Sequence, residues 1–254
     1  MVYLNNKFEI KVISRIGSPR RKTIEENLKS KNILFSFFDA ADKTNITKQN
    51  KTFYYKDLKL ELNTSATFPD AFNARKWMKI GEVGCFFSHY ALWTDIVNND
   101  KDAYLILEDD ADPQFTGIEV QKFLNQESLN GIDMILCQSV SPNFPKGKPT
   151  FTNLLEKIQI KVPNGNFDWI TTEGTTGYII TNSGAKKLIK TVESYGLINP
   201  VDNFIGRCIA SDLDTFLCPK YLQVVLNENV QTEIHYDIPE QTIEYIENIK
   251  FIMG

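Results

Sequence analysis

Short β-branched runs alternate along this chain with longer stripes of helical period, a pattern that predicts an α/β fold. Phe8 to Ile13 alternates apolar and polar positions and predicts the first strand. Gly17-Ser18-Pro19 supplies a helix start, with Ser18 as N-cap and Pro19 at the first helical position of a helix running to about Lys31. Ile33 to Phe38 predicts a second strand, closed by the loop Asp39-Ala40-Ala41-Asp42. A strand–helix–strand opening favours a right-handed crossover within a mostly parallel sheet. Residues 43–80 are rich in Asn and Lys with weak periodicity, which predicts an irregular insertion with a little helix. From Glu82 to Asn98, residues Cys85, His89, Leu92, Trp93 and Ile96 form one helical stripe, so His89 is expected as a buried histidine with a hydrogen-bonded ring. Ala103–Leu107, Met134–Gln138, Gly177–Thr181 and Leu222–Leu226 predict further strands, and Ser183–Ser194 and Pro239–Phe251 predict helices. Pro142, Pro145, Pro149 and Pro163 mark 141–167 as a long loop.

One strand ends unusually. The apolar run Tyr104 to Leu107 leads directly into Glu108-Asp109-Asp110-Ala111-Asp112. Four carboxylates this close repel one another, and a strand end is a poor place to bury them unpaired. A divalent cation would relieve the repulsion, and hard cations such as Mn²⁺ and Mg²⁺ take oxygen ligands and commonly hold phosphates. Three polar clusters fall beyond predicted strand ends: Ser14-Arg15, Asp39 to Asp42, and Glu108 to Asp112. That is where open α/β sheets bind their ligands.

Composition narrows the choice of partner. The net charge of -4 gives no support for nucleic acid, and 42% apolar residues is ordinary for a globular domain. Cys85, Cys137, Cys208 and Cys218 form no CxxC pair and lie in mostly apolar surroundings, so reduced, buried thiols and a cytoplasmic location are expected. Met1 to Lys11 has no apolar leader core, and no run of 18 apolar residues is present, which leaves peripheral contact with an inner membrane as the expected mode of attachment, if any.

The block Gly81-Glu82-Val83-Gly84-Cys85-Phe86-Phe87-Ser88-His89, then Leu92-Trp93, then Ile106 to Asp110, resembles glycosyltransferase family 25. These are the bacterial lipopolysaccharide and lipooligosaccharide glycosyltransferases, similar also to collagen galactosyltransferases. Arg20-Arg21, Phe38 to Asp42, Gly177-Tyr178 with Ser183-Gly184-Ala185, and Pro200-Val201-Asp202 extend the resemblance over residues 8–205. The chain departs from the family pattern at Ile13-Ser14-Arg15 and at Ala40-Ala41-Asp42-Lys43. The resemblance implies a single GT-A type domain over 1–254, with 43–80 as an insertion, 141–167 on the acceptor side and 205–254 without an assigned role. It also implies an inverting transfer of a hexose, usually galactose, from a UDP-sugar to a lipooligosaccharide glycan, with Mn²⁺ or Mg²⁺.

On that footing Asp110 is the first-choice metal ligand, with Asp112 and His235 as further ligands. Glu108 shares a face with Asp110 in an extended segment and would contact donor hydroxyls, with Asp109 beside it. Ser14, Arg15, Arg20, Arg21 and Asp42 are placed against the nucleotide and diphosphate, helped by the helix start at Ser18. Asp202 is the first-choice base, or alternatively a helix cap; Glu173 is the second choice of base. Trp169 and Tyr178 are either stacking platforms for the acceptor sugar or core residues. The rival readings are a catalytically silent sugar-nucleotide-binding paralogue and a metal-dependent phosphohydrolase. The second is disfavoured because the chain has only two histidines.

Overall fold

The structure is a computed structural model and describes residues 7–63, 78–126, 128–138, 156–157 and 174–227. Strand β1 (Phe8–Ser14) turns through Gly17, whose φ of 80° only glycine adopts freely, into α1 (Pro19–Ser30). Ser18 caps α1 as expected, its Oγ accepting from the Arg20 amide. Strand β2 (Ser36–Asp39) begins three residues later than the pattern predicts, because Ile33 still belongs to the helix exit: its N–H bonds the Leu28 carbonyl.

The insertion is more regular than expected. After a 3₁₀ turn at Lys43–Asn45, strands β3 (Thr47–Gln49), β4 (Thr52–Tyr55) and β5 (Leu58–Glu61) form an antiparallel sheet. Its signal is a period of two in four-residue pieces. Phe53, Tyr55, Leu60 and Leu62 are buried, while Lys59 and Glu61 face outward. Asn50 and Lys56 take the positive φ that the two turns need, and the many polar residues around them hid the alternation.

Helix α2 (Ile80–Asn98) packs against the buried face of that sheet, with Tyr55 and Phe87 rings 5.8 Å apart. It starts two residues before the predicted Glu82, whose carboxylate accepts from the Lys79 amide at 2.7 Å. Gly84 lets α2 approach the loop after β2. A Cβ there would lie 2.5 Å from the Ala41 carbonyl oxygen, a backbone atom that cannot step aside. Gly84→Ala is therefore expected to destabilise the fold by about 1–3 kcal/mol through overpacking. Thermal denaturation checks it, and an unchanged midpoint would show that the contact yields.

The remaining elements are β6 (Ala103–Glu108), β7 (Ala111–Pro113), α3 (Gly117–Gln126), β8 (Met134–Leu136), β9 (Glu156–Lys157), β10 (Gly177–Thr181), α4 (Asn182–Tyr195), α5 (Val201–Ser211), β11 (Thr215–Leu217) and β12 (Val224–Leu226). The main sheet has the order β2-β1-β6-β10-β8-β11-β9. It is parallel-rich and flanked by helices: β1–β2, β1–β6 and β8–β11 run parallel, while β10 runs against both its neighbours. Tyr104 and Ile106 of β6 enter the core shared with α2, α4 and α5. Leu105 and Leu107 enter the core shared with α1 and α3. Burial on both faces explains why β6 reads as a continuous apolar run.

Strand directions decide where the site lies. Ile13 pairs with Glu108 and Ser14 with Asp39, so the carboxyl ends of β1, β2 and β6 lie level. Because β10 is reversed and Gly177 pairs with Leu107, its beginning reaches the same edge and delivers Gly174 to Thr176. No helix among the described residues is long and apolar enough to cross a membrane. The expected helix at Pro239–Phe251 and all but Glu156–Lys157 of the expected loop at 141–167 lie outside the described residues.

Candidate active site

The four carboxylates at the end of β6 do not share one environment. The strand stops at Glu108, and Asp109-Asp110 form a turn before β7. The Asp110 carbonyl accepts from the Asn227 amide, and β7 pairs with β12, so the turn is held from two sides. Asp109 is tied to the other strand end: Ser14 Oγ donates to it at 2.8 Å and Arg20 Nη1 at 3.1 Å. Asp112 points away from the cleft, to α1, where Lys31 Nζ (2.7 Å) and Asn27 Nδ2 (2.8 Å) donate to it. Glu108 receives the Thr175 hydroxyl and lies 3.2 Å from His89 Nε2, both on the same oxygen, Oε1.

That leaves Asp110. It is 8% exposed, and its Oδ1 is buried with no hydrogen-bond partner among the described residues. Its Oδ2 lies 3.5 Å from Arg20 Nη1. Burial first, then the negative charges of Glu108 and Asp109, push its carboxyl up to about 7, with Arg20 opposing them. For Glu108, burial also acts upward, but the bonds from His89 and Thr175 and the charge of Arg20 outweigh it and hold it below the ordinary value. The protein thus supplies hydrogen-bond donors to three of the four carboxylates and leaves one buried oxygen of Asp110 without a partner among the described residues.

These groups open onto a cleft of about 610 Å³. Of the expected site residues, Ser14, Arg15, Arg20, Asp42, Glu108, Asp109, Asp110 and Asp202 all line it. Arg21 does not: it pairs with Asp39 at 2.9 Å and lies over the Phe37 ring. Glu173, His235 and Trp169 lie outside the described residues. Tyr178 is a core residue, 1% exposed. Asp42 caps the 3₁₀ turn through Thr44 and pairs with Arg15 at 2.9 Å. The Thr44 amide, helped by Arg15 against some burial, lowers its carboxyl to about 2.

Asp202 is not a helix cap. Pro200 occupies that position, and Asp202 sits in the first turn of α5 with its carboxylate accepting from the Asn203 amide at 2.7 Å. Burial, and after it the charges of Glu108 and Glu82, raise its carboxyl despite that bond. Glu82 and Cys85 of α2 and Thr175 before β10 also line the cleft, and sequence reasoning assigned none of them a role. The helical spacing of Glu82, Cys85 and His89 held the signal for the α2 face; Thr175 needed the reversed strand.

Two places can be considered for a cation. Cys85, His89 and Glu108 bring ligand atoms within 4.8 Å of one another. However, both His89 nitrogens already have hydrogen-bond partners, and burial followed by four nearby carboxylates pushes the Cys85 thiol well above its ordinary value. Asp110, whose buried Oδ1 has no partner among the described residues, is the oxygen ligand that suits Mn²⁺ or Mg²⁺.

The profile described as Glycosyltransferase family 25 (LPS biosynthesis protein) matches residues 8–205 of this chain. A glycosyltransferase 25 family member of Aedes aegypti is 30% identical over 145 residues, covering 54% of this chain and 21% of its own length. Procollagen galactosyltransferase 2 of Homo sapiens is 27% identical over 147 residues, covering 54% and 21%. A candidate glycosyltransferase of Haemophilus influenzae is 28% identical over 187 residues, covering 73% and 58%. The chain thus spans about a fifth of the length of the first two.

Proposed function

The chain belongs to glycosyltransferase family 25, and from that premise we propose that it is an active, metal-dependent, inverting glycosyltransferase. It moves a hexose, galactose before others, from a UDP-sugar to a lipooligosaccharide or lipopolysaccharide glycan. The observation that carries the reading is Asp110: a buried carboxylate whose Oδ1 has no partner among the described residues, in a cleft that also holds Arg15, Arg20 and Lys43. Galactose is supported by the procollagen galactosyltransferase relatives, and the acceptor by the description of the family as an LPS biosynthesis protein. Four unpaired cysteines support a reducing, cytoplasmic setting, with peripheral contact at the inner membrane where such acceptors are built.

Asp110 would hold the cation. When bound, it supplies Lewis-acid stabilisation of the departing diphosphate, worth several kcal/mol. Arg15 and Lys43, with the N-terminal amides of α1, supply further positive potential to the same group. Glu108 aligns the donor through sugar hydroxyls. Asp202, its proton affinity raised by burial, takes the proton from the acceptor hydroxyl as that oxygen attacks the anomeric carbon.

Incubation with UDP-galactose and a truncated lipooligosaccharide is expected to release UDP, and to release it only when the glycan is present. Inorganic phosphate as the product would instead support a phosphohydrolase. UDP-sugar binding without turnover on any glycan would support the silent paralogue.

A further inference from the structure

His89 lies within a buried chain of hydrogen bonds that runs from Trp93 to Glu108. Trp93 Nε1 lies 3.0 Å from the Tyr178 hydroxyl, that hydroxyl lies 2.7 Å from His89 Nδ1, and His89 Nε2 lies 3.2 Å from Glu108 Oε1. Trp93, His89 and Tyr178 are all almost completely excluded from solvent. We propose that Trp93 and Tyr178 lock His89 as its neutral Nε2–H tautomer, and that His89 thereby acts as a positioning residue that aims Glu108 into the cleft for the donor. The second half rests on the transferase reading.

The direction of the chain follows from what each group can do. An indole N–H only donates. The Tyr178 oxygen therefore accepts from Trp93, and its own hydrogen is available to Nδ1. A neutral ring that accepts at Nδ1 carries its proton on Nε2, directed at the Glu108 carboxylate. Every donor in the chain then has an acceptor. With the proton on Nδ1, the phenol hydrogen would be stranded in the core and an imidazole lone pair would face a carboxylate.

The result at Glu108 is asymmetric. His89 and Thr175 both bond Oε1, and no described residue donates to Oε2. One oxygen is fixed by the core and the other is offered to the cleft. A free carboxylate at a strand end has several rotamers; this one is held before any ligand arrives, which reduces the ordering that binding must impose.

The tautomer can be read directly by ¹⁵N NMR of the whole chain without ligand. The chain has two histidines, and His235→Asn identifies the signals of His89. The expected pattern is a protonated Nε2 and an unprotonated Nδ1, with Tyr178→Phe releasing the lock so that the second tautomer appears. A ring protonated on Nδ1, or on both nitrogens, at neutral pH overturns the proposal. Kinetics supply the second arm. His89→Gln, which retains an N–H that can reach Glu108, is expected to keep its UDP-sugar KM within about threefold, whereas His89→Leu raises it about tenfold, the scale of one lost charge-assisted hydrogen bond. In both variants kcat should change less than KM, and equal losses would reduce His89 to a packing residue. Tyr178→Phe preserves the packing and is expected to raise KM in the same way, so a poorly folded His89 variant does not decide the matter. Because the tautomer is read without substrate, a chain that turns over no UDP-sugar sinks the transferase reading, while the NMR result still decides the lock.

Discussion

Asp110→Asn is expected to remove the gain that Mn²⁺ or Mg²⁺ gives to UDP binding and, in the same protein, to raise the stability of the metal-free fold. Both effects come from one buried oxygen that has no partner among the described residues. The carboxyl of Asp110 is raised to about 7 from an ordinary 3.8. The folded state therefore keeps a proton that the unfolded chain releases at lower pH. Below about pH 4 the group is neutral in both states and contributes no difference. As pH rises from there to about 7, ionisation increasingly favours the unfolded chain, and above that the full penalty of about 4 kcal/mol, an upper bound from the size of the shift, weighs on the fold. An amide of the same shape never ionises. At pH 8 with chelator present, Asp110→Asn should melt higher by about 5–10 °C, and at pH 4 it should match the unsubstituted chain. Calorimetry with UDP, with and without Mn²⁺, reads the other half. Metal-independent UDP binding in both proteins would sink the ligand assignment, and a less stable variant at pH 8 would show that Asp110 is better satisfied than its surroundings indicate. A stability gain joined to a functional loss is the signature of a group kept for chemistry.

Asp202→Asn should lower turnover by about 10²- to 10⁴-fold, the range for losing a positioned general base, while leaving UDP affinity nearly unchanged. Asp202 comes from the first turn of α5, whereas the carboxylates expected to meet the donor come from the end of β6, so the two functions are carried by separate elements. A base must be ionised to act. Because burial and the neighbouring carboxylates raise Asp202, the rate of the unsubstituted enzyme should rise with pH through a value above that of an ordinary aspartate. Single-turnover measurements across pH, paired with UDP titrations, would show it. Full turnover in Asp202→Asn would move the base elsewhere, with Glu173 next in line.

Some features could be read from the chain alone because they depend on neighbours in sequence. The Ser18 cap, the α2 stripe and the strands β1, β6 and β10 follow from local periodicity and capping, which act over a few residues. The convergence of Ser14, Asp42 and Glu108 also followed, because parallel strands joined by helices bring their carboxyl ends to one edge. The three-stranded sheet at 47–61 was missed because its alternation comes in pieces too short to stand out from their polar surroundings.

The acidic run shows where local information ends. Its residues announce an electrostatic conflict but do not say how the conflict is divided. That division depends on partners 85 and 81 positions away for Asp112, 95 and 89 for Asp109, and 19 and 67 for Glu108. The sequence by itself determined the fold class, the family and the edge of the sheet where chemistry gathers, since these rest on periodicity, motif and chain direction. Only the tertiary structure decided that Asp109 and Asp112 are bonded by donors from distant elements, that His89 reaches Glu108, and that Asp110 keeps a buried oxygen with no partner among the described residues. A carboxylate's state is set by burial and by the donors around it, and folding brings those donors from distant parts of the chain.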